Sequence, residues 1–189
     1  MLNDIDIKLI ARTNRKHAVE ETVRKYRDRL YYHALSIVKD PQEAYDAVQE
    51  VFIKAIRERR FFDEDFQMRA WLFRVTSNLC YNIVRDKKRR RGILETIPQK
   101  VPREDRSGTV SLEKVFSGQM RDEIFAAMEH ISPNHREILI LRYYHDLSYS
   151  EIASALQIKL GTVMSRLSRA RNRLLAVIGP DHPAVAEAI

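Results

Sequence analysis

Residues 159–178 contain no acidic side chain, while Arg166, Arg169, Arg171 and Arg173 recur at spacings that put most of them on the polar side of a helix. Guanidinium groups arranged this way make and break no bonds. They bind polyanions, holding phosphates and donating paired hydrogen bonds to guanine in a major groove. The apolar residues say how such a helix is presented. Ile152, Ala153 and Leu156 form the inward side of a short helix opened by Ser148-Tyr149-Ser150-Glu151, a capping box. Ile158 plugs a turn, and Val163, Leu167, Leu174 and Val177 form the inward side of a last helix from near Thr162 to about Ile178. Two helices so closely joined, with small Ala153 at the crossing, make a helix-turn-helix that props its second helix outward. Gln157 stands where such a turn usually has glycine, at a cost of about 1 kcal/mol if the backbone there is left-handed. The plainer reading of the same charges is a solvated arginine-rich helix in an ordinary bundle.

The composition agrees with an anionic partner. Lys and Arg number 33 against 26 Asp and Glu, a formal charge of +7 on 189 residues, and nucleic acid is the leading candidate for such a surplus. No apolar run approaches the roughly 18 residues needed to span a bilayer. Residues 1–12 carry acids where a secretory signal would carry bases, so the chain is expected in the cytoplasm. Cys80, the only cysteine, excludes an internal disulfide or a cysteine-built zinc site and reads as a packed thiol. The 6 His residues are scattered, with His33, His135 and His145 read as surface or helix-face residues. Without clustered metal ligands, a phosphate-cradling glycine loop or an activated nucleophile, no metal, no cofactor and no enzymatic activity are expected.

With 5 Gly and 6 Pro the elements positioning these residues are expected to be helices. Val19, Val23, Tyr26, Leu30, Ala34 and Ile37 fall on one helical face. Asp40-Pro41-Gln42-Glu43 reads as a capping box starting a second helix, striped by Ala44, Ala47, Val48, Val51, Phe52, Ala55 and Ile56. An aromatic and acidic loop, 61–66, precedes a third, striped by Met68, Trp71, Leu72, Val75, Leu79 and Ile83. Residues 92–117 hold Pro98, Pro102, Ser107 and Gly108 without a sustained period, as a linker would. Beyond it, Met120, Ile124, Met128 and Ile131 restart the period, Ser132-Pro133 opens a helix, and Ile138, Leu139, Leu141 and Tyr144 stripe it. The expectation is all-α: two small helical domains, 1–91 and 118–189, joined by a flexible linker.

Two stretches carry a resemblance. Leu141-Arg142-Tyr143-Tyr144-His145-Asp146-Leu147-Ser148-Tyr149-Ser150-Glu151-Ile152-Ala153, with Gly161-Thr162-Val163-Met164-Ser165-Arg166-Leu167 and Arg169-Ala170-Arg171, resembles region 4 of the extracytoplasmic-function sigma factors of bacterial RNA polymerase. Asp46-Ala47-Val48-Gln49-Glu50-Val51-Phe52 and Arg69-Ala70-Trp71-Leu72-Phe73-Arg74-Val75, followed by Asn78, resemble region 2. The resemblance implies that Asp46, Gln49 and Glu50, sharing a helical face, dock on a basic coiled coil of core RNA polymerase. It implies that the minus-ten element of promoter DNA is read as melted single strand, a flipped base being held near Phe62 and Asn78 beside loop 63–68, while Asn82, Arg85, Lys87 and Lys88 follow the phosphates. Trp71 is read as core packing, and the run 87–91 has a plainer reading as a solvated helix end. Region 4 would set Thr162, Met164, Ser165, Arg166 and Arg169 against the duplex minus-thirty-five element. Met164 departs from the family, where a base is frequent, and Tyr45 stands where an acid is common. The family also implies an anti-sigma protein as a partner, and a monomer is expected. From the helix-turn-helix alone, an autonomous transcriptional regulator stays open.

Overall fold

The computed structural model describes residues 2–94 and 118–179. The expected linker 92–117 falls almost wholly outside them. The fold is all-α, and the chain divides into two compact units, Met1–Arg106 and Ser107–Ile189.

In the first unit a helix absent from the expectation comes first: α1, Asp4–Thr13. It is started by a reciprocal cap, in which Asp6 N donates to Asn3 Oδ1 (2.8 Å) and Asn3 N to Asp6 Oδ2 (3.1 Å). Asn14 then breaks the helix and caps α2 (Arg15–Val38), accepting from His17 N at 3.0 Å. Lys39, in the left-handed region at φ 60°, turns the chain into α3 (Pro41–Arg57). Asp40 caps α3 as expected, accepting from Glu43 N at 2.9 Å, but Glu43 pairs with Lys87. A loop, 58–67, leads into α4 (Met68–Leu94).

Helix α2 packs against α1, α3 and α4, which makes it the axis of the unit. Its buried face is Ala18, Thr22, Tyr26, Leu30, His33, Ala34 and Val38, one position off the expected Val19 and Val23. Small side chains there let the helices approach closely, and the valines lie half-buried at the flanks. On α4 the shift is one position the other way: Leu72, Phe73, Thr76, Ser77 and Cys80 are buried, and Trp71, Val75, Leu79 and Ile83 are left half-exposed. His33, expected as a surface or helix-face residue, lies on the inner face of α2 and is fully buried: its Nε2 lies 2.8 Å from Ser77 Oγ, and its ring meets Phe73 edge-on. Burial pushes its pKa down to about 3. Ile56, expected in the core, is exposed.

The second unit comprises α5 (Gly118–Glu129), α6 (Pro133–Leu139), a π-helical turn over Ile140–Tyr144, α7 (Tyr149–Leu156) and α8 (Leu160–Ile178). Ile124, Ala127, Ile131, Ile138, Leu139, Leu141, Leu147 and Ile152 are buried, as is His145, another histidine expected as a surface or helix-face residue. Helix α8 packs against α5, α6 and α7. It begins two residues before the expected Thr162, and its buried face is Val163, Leu167 and Ala170, with Val177 exposed.

Candidate nucleic-acid interface

The capping box of α7 forms in both directions: Glu151 N donates to Ser148 Oγ (3.2 Å) and Ser148 N to Glu151 Oε2 (2.8 Å). Gln157 then ends the helix at φ 53°, ψ 44°, the left-handed turn for which glycine is the cheaper residue. Ile158 N closes back on Ala153 O at 3.0 Å. Ile152 and Ala155, rather than Ala153, are the residues α7 buries. With Val163, Leu167 and Ala170 turned inward, the far side of α8 presents Thr162, Ser165 and Arg169 to solvent, and Arg166 lies half-buried at its margin. Ser165 Oγ donates to Thr162 O at 3.2 Å. At 100° per residue Met164 sits about 160° around the helix from Arg166. It is 52% exposed beside Leu160, at 51%. The predicted duplex-reading set thus divides into a polar face and an apolar flank, and Leu160 was missed because its period alone looks like core.

In the first unit, the loop between α3 and α4 is hung on aromatic rings. Phe61 is buried, with its ring centroid 5.0 Å from Phe62, 5.7 Å from Phe66 and 5.5 Å from Trp71. Trp71 is half-buried and lies 6.0 Å from Phe66, so it joins the loop to α4. Phe62 is half-buried too, with the Arg15 guanidinium 5.2 Å from its ring centre. Arg15 also donates to the carbonyls of Ile56 and Glu58, closing the end of α3. The acids between the rings are paired: Arg60 with Asp63 (3.2 Å) and Asp65 (2.6 Å), and Arg12 with Glu64. Lys8 Nζ donates to the carbonyls of Glu64 (2.9 Å) and Phe66 (2.7 Å). Lys8, Arg12, Arg15 and Arg60 were not foreseen as parts of the site. The reciprocal cap at Asn3 and Asp6 was the signal that could have revealed α1.

Asn78, Asn82 and Arg85 are exposed and follow one another at i, i+4 and i+7 on α4, with Lys88 one turn further on. Lys87, about 180° around the helix from Asn78, lies off this row, and its Nζ is 2.5 Å from Glu43 Oε2 on α3. The outer face of α3 carries exposed Asp46 and Gln49 and half-buried Glu50. Gln42 Nε2 donates to Asp46 Oδ1 at 3.1 Å, and Glu50 pairs with Lys54 at 3.1 Å. Tyr45, Ile53 and Ile56 are exposed on the same helix. Large apolar groups among acids suit a protein surface bearing bases and hydrophobes better than they suit DNA. Among the described residues no cluster of His, Cys, Asp or Glu could hold a metal ion, and no helix is long and apolar enough to cross a membrane.

Comparison with known proteins accounts for both units together. The family described as Sigma-70 region 2 matches residues 22–90, and Sigma-70, region 4 matches residues 121–174. The ECF RNA polymerase sigma factor SigE of Mycolicibacterium smegmatis is 33% identical over 159 residues, 82% of this chain and 59% of that protein. The RNA polymerase sigma-H factor of Pseudomonas aeruginosa is 32% identical over 184 residues, 93% of this chain and 94% of its own length. Among solved structures, the sigma factor RpoE of Bartonella quintana, in complex with the anti-sigma factor NepR, is similar at a TM-score of 0.65 and 25% identity, covering 86% of this chain and 97% of that one. An autonomous regulator would not match both regions in order; the chain belongs to the extracytoplasmic-function (ECF) family of RNA polymerase sigma factors, non-enzymatic initiation subunits that direct promoter-specific transcription.

Proposed function

We propose a division of labour between the units. The first, 1–91, docks on core RNA polymerase through Asp46, Gln49 and Glu50 and captures the melted minus-ten strand. Phe62 and Asn78 grip an unstacked base, and Asn82, Arg85 and Lys88 follow the backbone. The second, 118–189, sets α8 in the major groove of the minus-thirty-five element with Thr162, Ser165, Arg166 and Arg169, and Met164 flanks the contact. Residues 92–117 join the two. The chain acts as a monomer in the cytoplasm, and an anti-sigma protein is its expected inhibitor, as NepR is paired with the Bartonella relative.

The observation that carries this reading is the outer face of α3. Asp46, Gln49 and the large apolar residues Tyr45, Ile53 and Ile56 are exposed together with Glu50 half-buried beside them, whereas the aromatic loop and the amide row of Asn78 and Asn82 supply a separate surface suited to unpaired bases. The double variant Asp46→Arg with Glu50→Arg should lose capture of purified core polymerase and keep its helical circular dichroism. Undiminished capture would refute the docking face.

A further inference from the structure

We infer that Lys8 is a positioning residue for the loop that receives melted DNA, with α1 serving as the brace that holds this loop in its receiving shape. The inference rests on the reading of loop 61–67 as the base-capturing element. Residues 58–67 form no long helix, and their three successive acids, Asp63, Glu64 and Asp65, would repel a phosphate chain if left unpaired. Asp4, Lys8 and Arg12, at i, i+4 and i+8, form one stripe on α1. Asp4 ties the start of this stripe to α2, pairing with Lys25 at 2.7 Å and accepting from Tyr26 OH at 2.7 Å. Ile7, fully buried, anchors the adjoining face of the helix. From that base Lys8 spans two loop carbonyls, those of Glu64 and Phe66, and Arg12 pairs with the Glu64 side chain.

A charged donor shared by two carbonyls two residues apart fixes the backbone between them, and so the direction in which the adjoining rings face. Phe66 carries that constraint to Trp71, and Phe61 carries it to Phe62. The same helix therefore sets the shape of the loop through Lys8 and cancels part of its charge through Arg12.

The test uses holoenzyme assembled from core polymerase and the full chain, with a fluorescent single-stranded 15-nucleotide DNA chosen by the parent holoenzyme from a randomised pool. Lys8→Met removes both loop-carbonyl bonds and should weaken capture of this strand at least about tenfold, the scale of the net contribution of one charged hydrogen bond, while core affinity stays at the parent value. Trp71 is the only tryptophan, so iodide quenching of the free chain reports the seat of the loop. Quenching should rise in Lys8→Met, and Lys8→Arg should restore both readouts. Parent-like capture by Lys8→Met, or a loss that Lys8→Arg does not recover, overturns the proposal. Asn78→Ala separates the two ideas: if it loses capture while Lys8→Met keeps it, only the brace fails; if neither variant loses capture, the base-capture reading fails as well.

Discussion

Lys87 Nζ lies 2.5 Å from Glu43 Oε2, so the basic end of α4 is tied to the first turn of α3 before any DNA arrives. A lysine engaged in this way contributes less to a phosphate track than its neighbour Lys88, which is exposed. The pair is part-exposed and is worth about 0.5 kcal/mol. Measured as the slope of log affinity against log salt for promoter binding by holoenzyme, Lys88→Met should lower the slope by about one and Lys87→Met by clearly less. Equal slopes for the two variants would show that the ion pair opens on binding.

His33 gives the fold a defined acid limb. Its pKa falls from an ordinary 6.5 to about 3 because burial penalises the imidazolium. The unfolded chain therefore takes up a proton below pH 6.5 that the folded chain refuses until near pH 3. Its contribution is complete above pH 6.5 and is lost progressively as pH falls through that window. From pH 6.5 to 4.5 the loss is about 2 to 3 kcal/mol. His33→Gln, which keeps a polar group for Ser77, should be less stable at neutral pH and should lack this part of the slope. Urea unfolding followed by Trp71 fluorescence at several pH values measures it, and parallel slopes in parent and variant would contradict the assignment.

Gln157 adopts φ 53°, ψ 44° in the turn before α8. Gln157→Gly removes the Cβ clash of the left-handed conformation at some cost in chain entropy, for a net gain of about 0.5 to 1 kcal/mol. Calorimetry should show the C-terminal unit melting a few degrees higher, with promoter choice unchanged. A lower melting temperature would mean that the side chain supplies more than the turn costs.

Much of the second unit was legible in the sequence because its signals are local. Ser148 and Glu151 announce a helix start within four residues, and the spacing of the two helices marks Gln157 as the turn between them, which the structure gives a left-handed backbone. What the sequence hid depends on distant partners. Lys8 finds its acceptors 56 and 58 residues away, and an isolated lysine near a chain start gives no sign of that. Hydropathy favours Val19 and Val23 as core, whereas close packing around α2 selects Ala18 and Thr22. His33 counts as polar until Ser77 on α4 is seen opposite it. The π-helical turn at Ile140–Tyr144 left no mark in the apolar period. Asn78 and Asp46 are singled out only through resemblance, since an exposed amide or acid on a helix is chemically ordinary by itself.

This chain gives a borrowed catalyst its starting point. Run-off transcription with purified core polymerase on a genomic promoter pool measures this directly. The full chain should yield transcripts with fixed 5′ ends, core alone should not, and Asp46→Arg with Glu50→Arg should abolish them. Transcripts whose start sites are the same with and without the chain would contradict it.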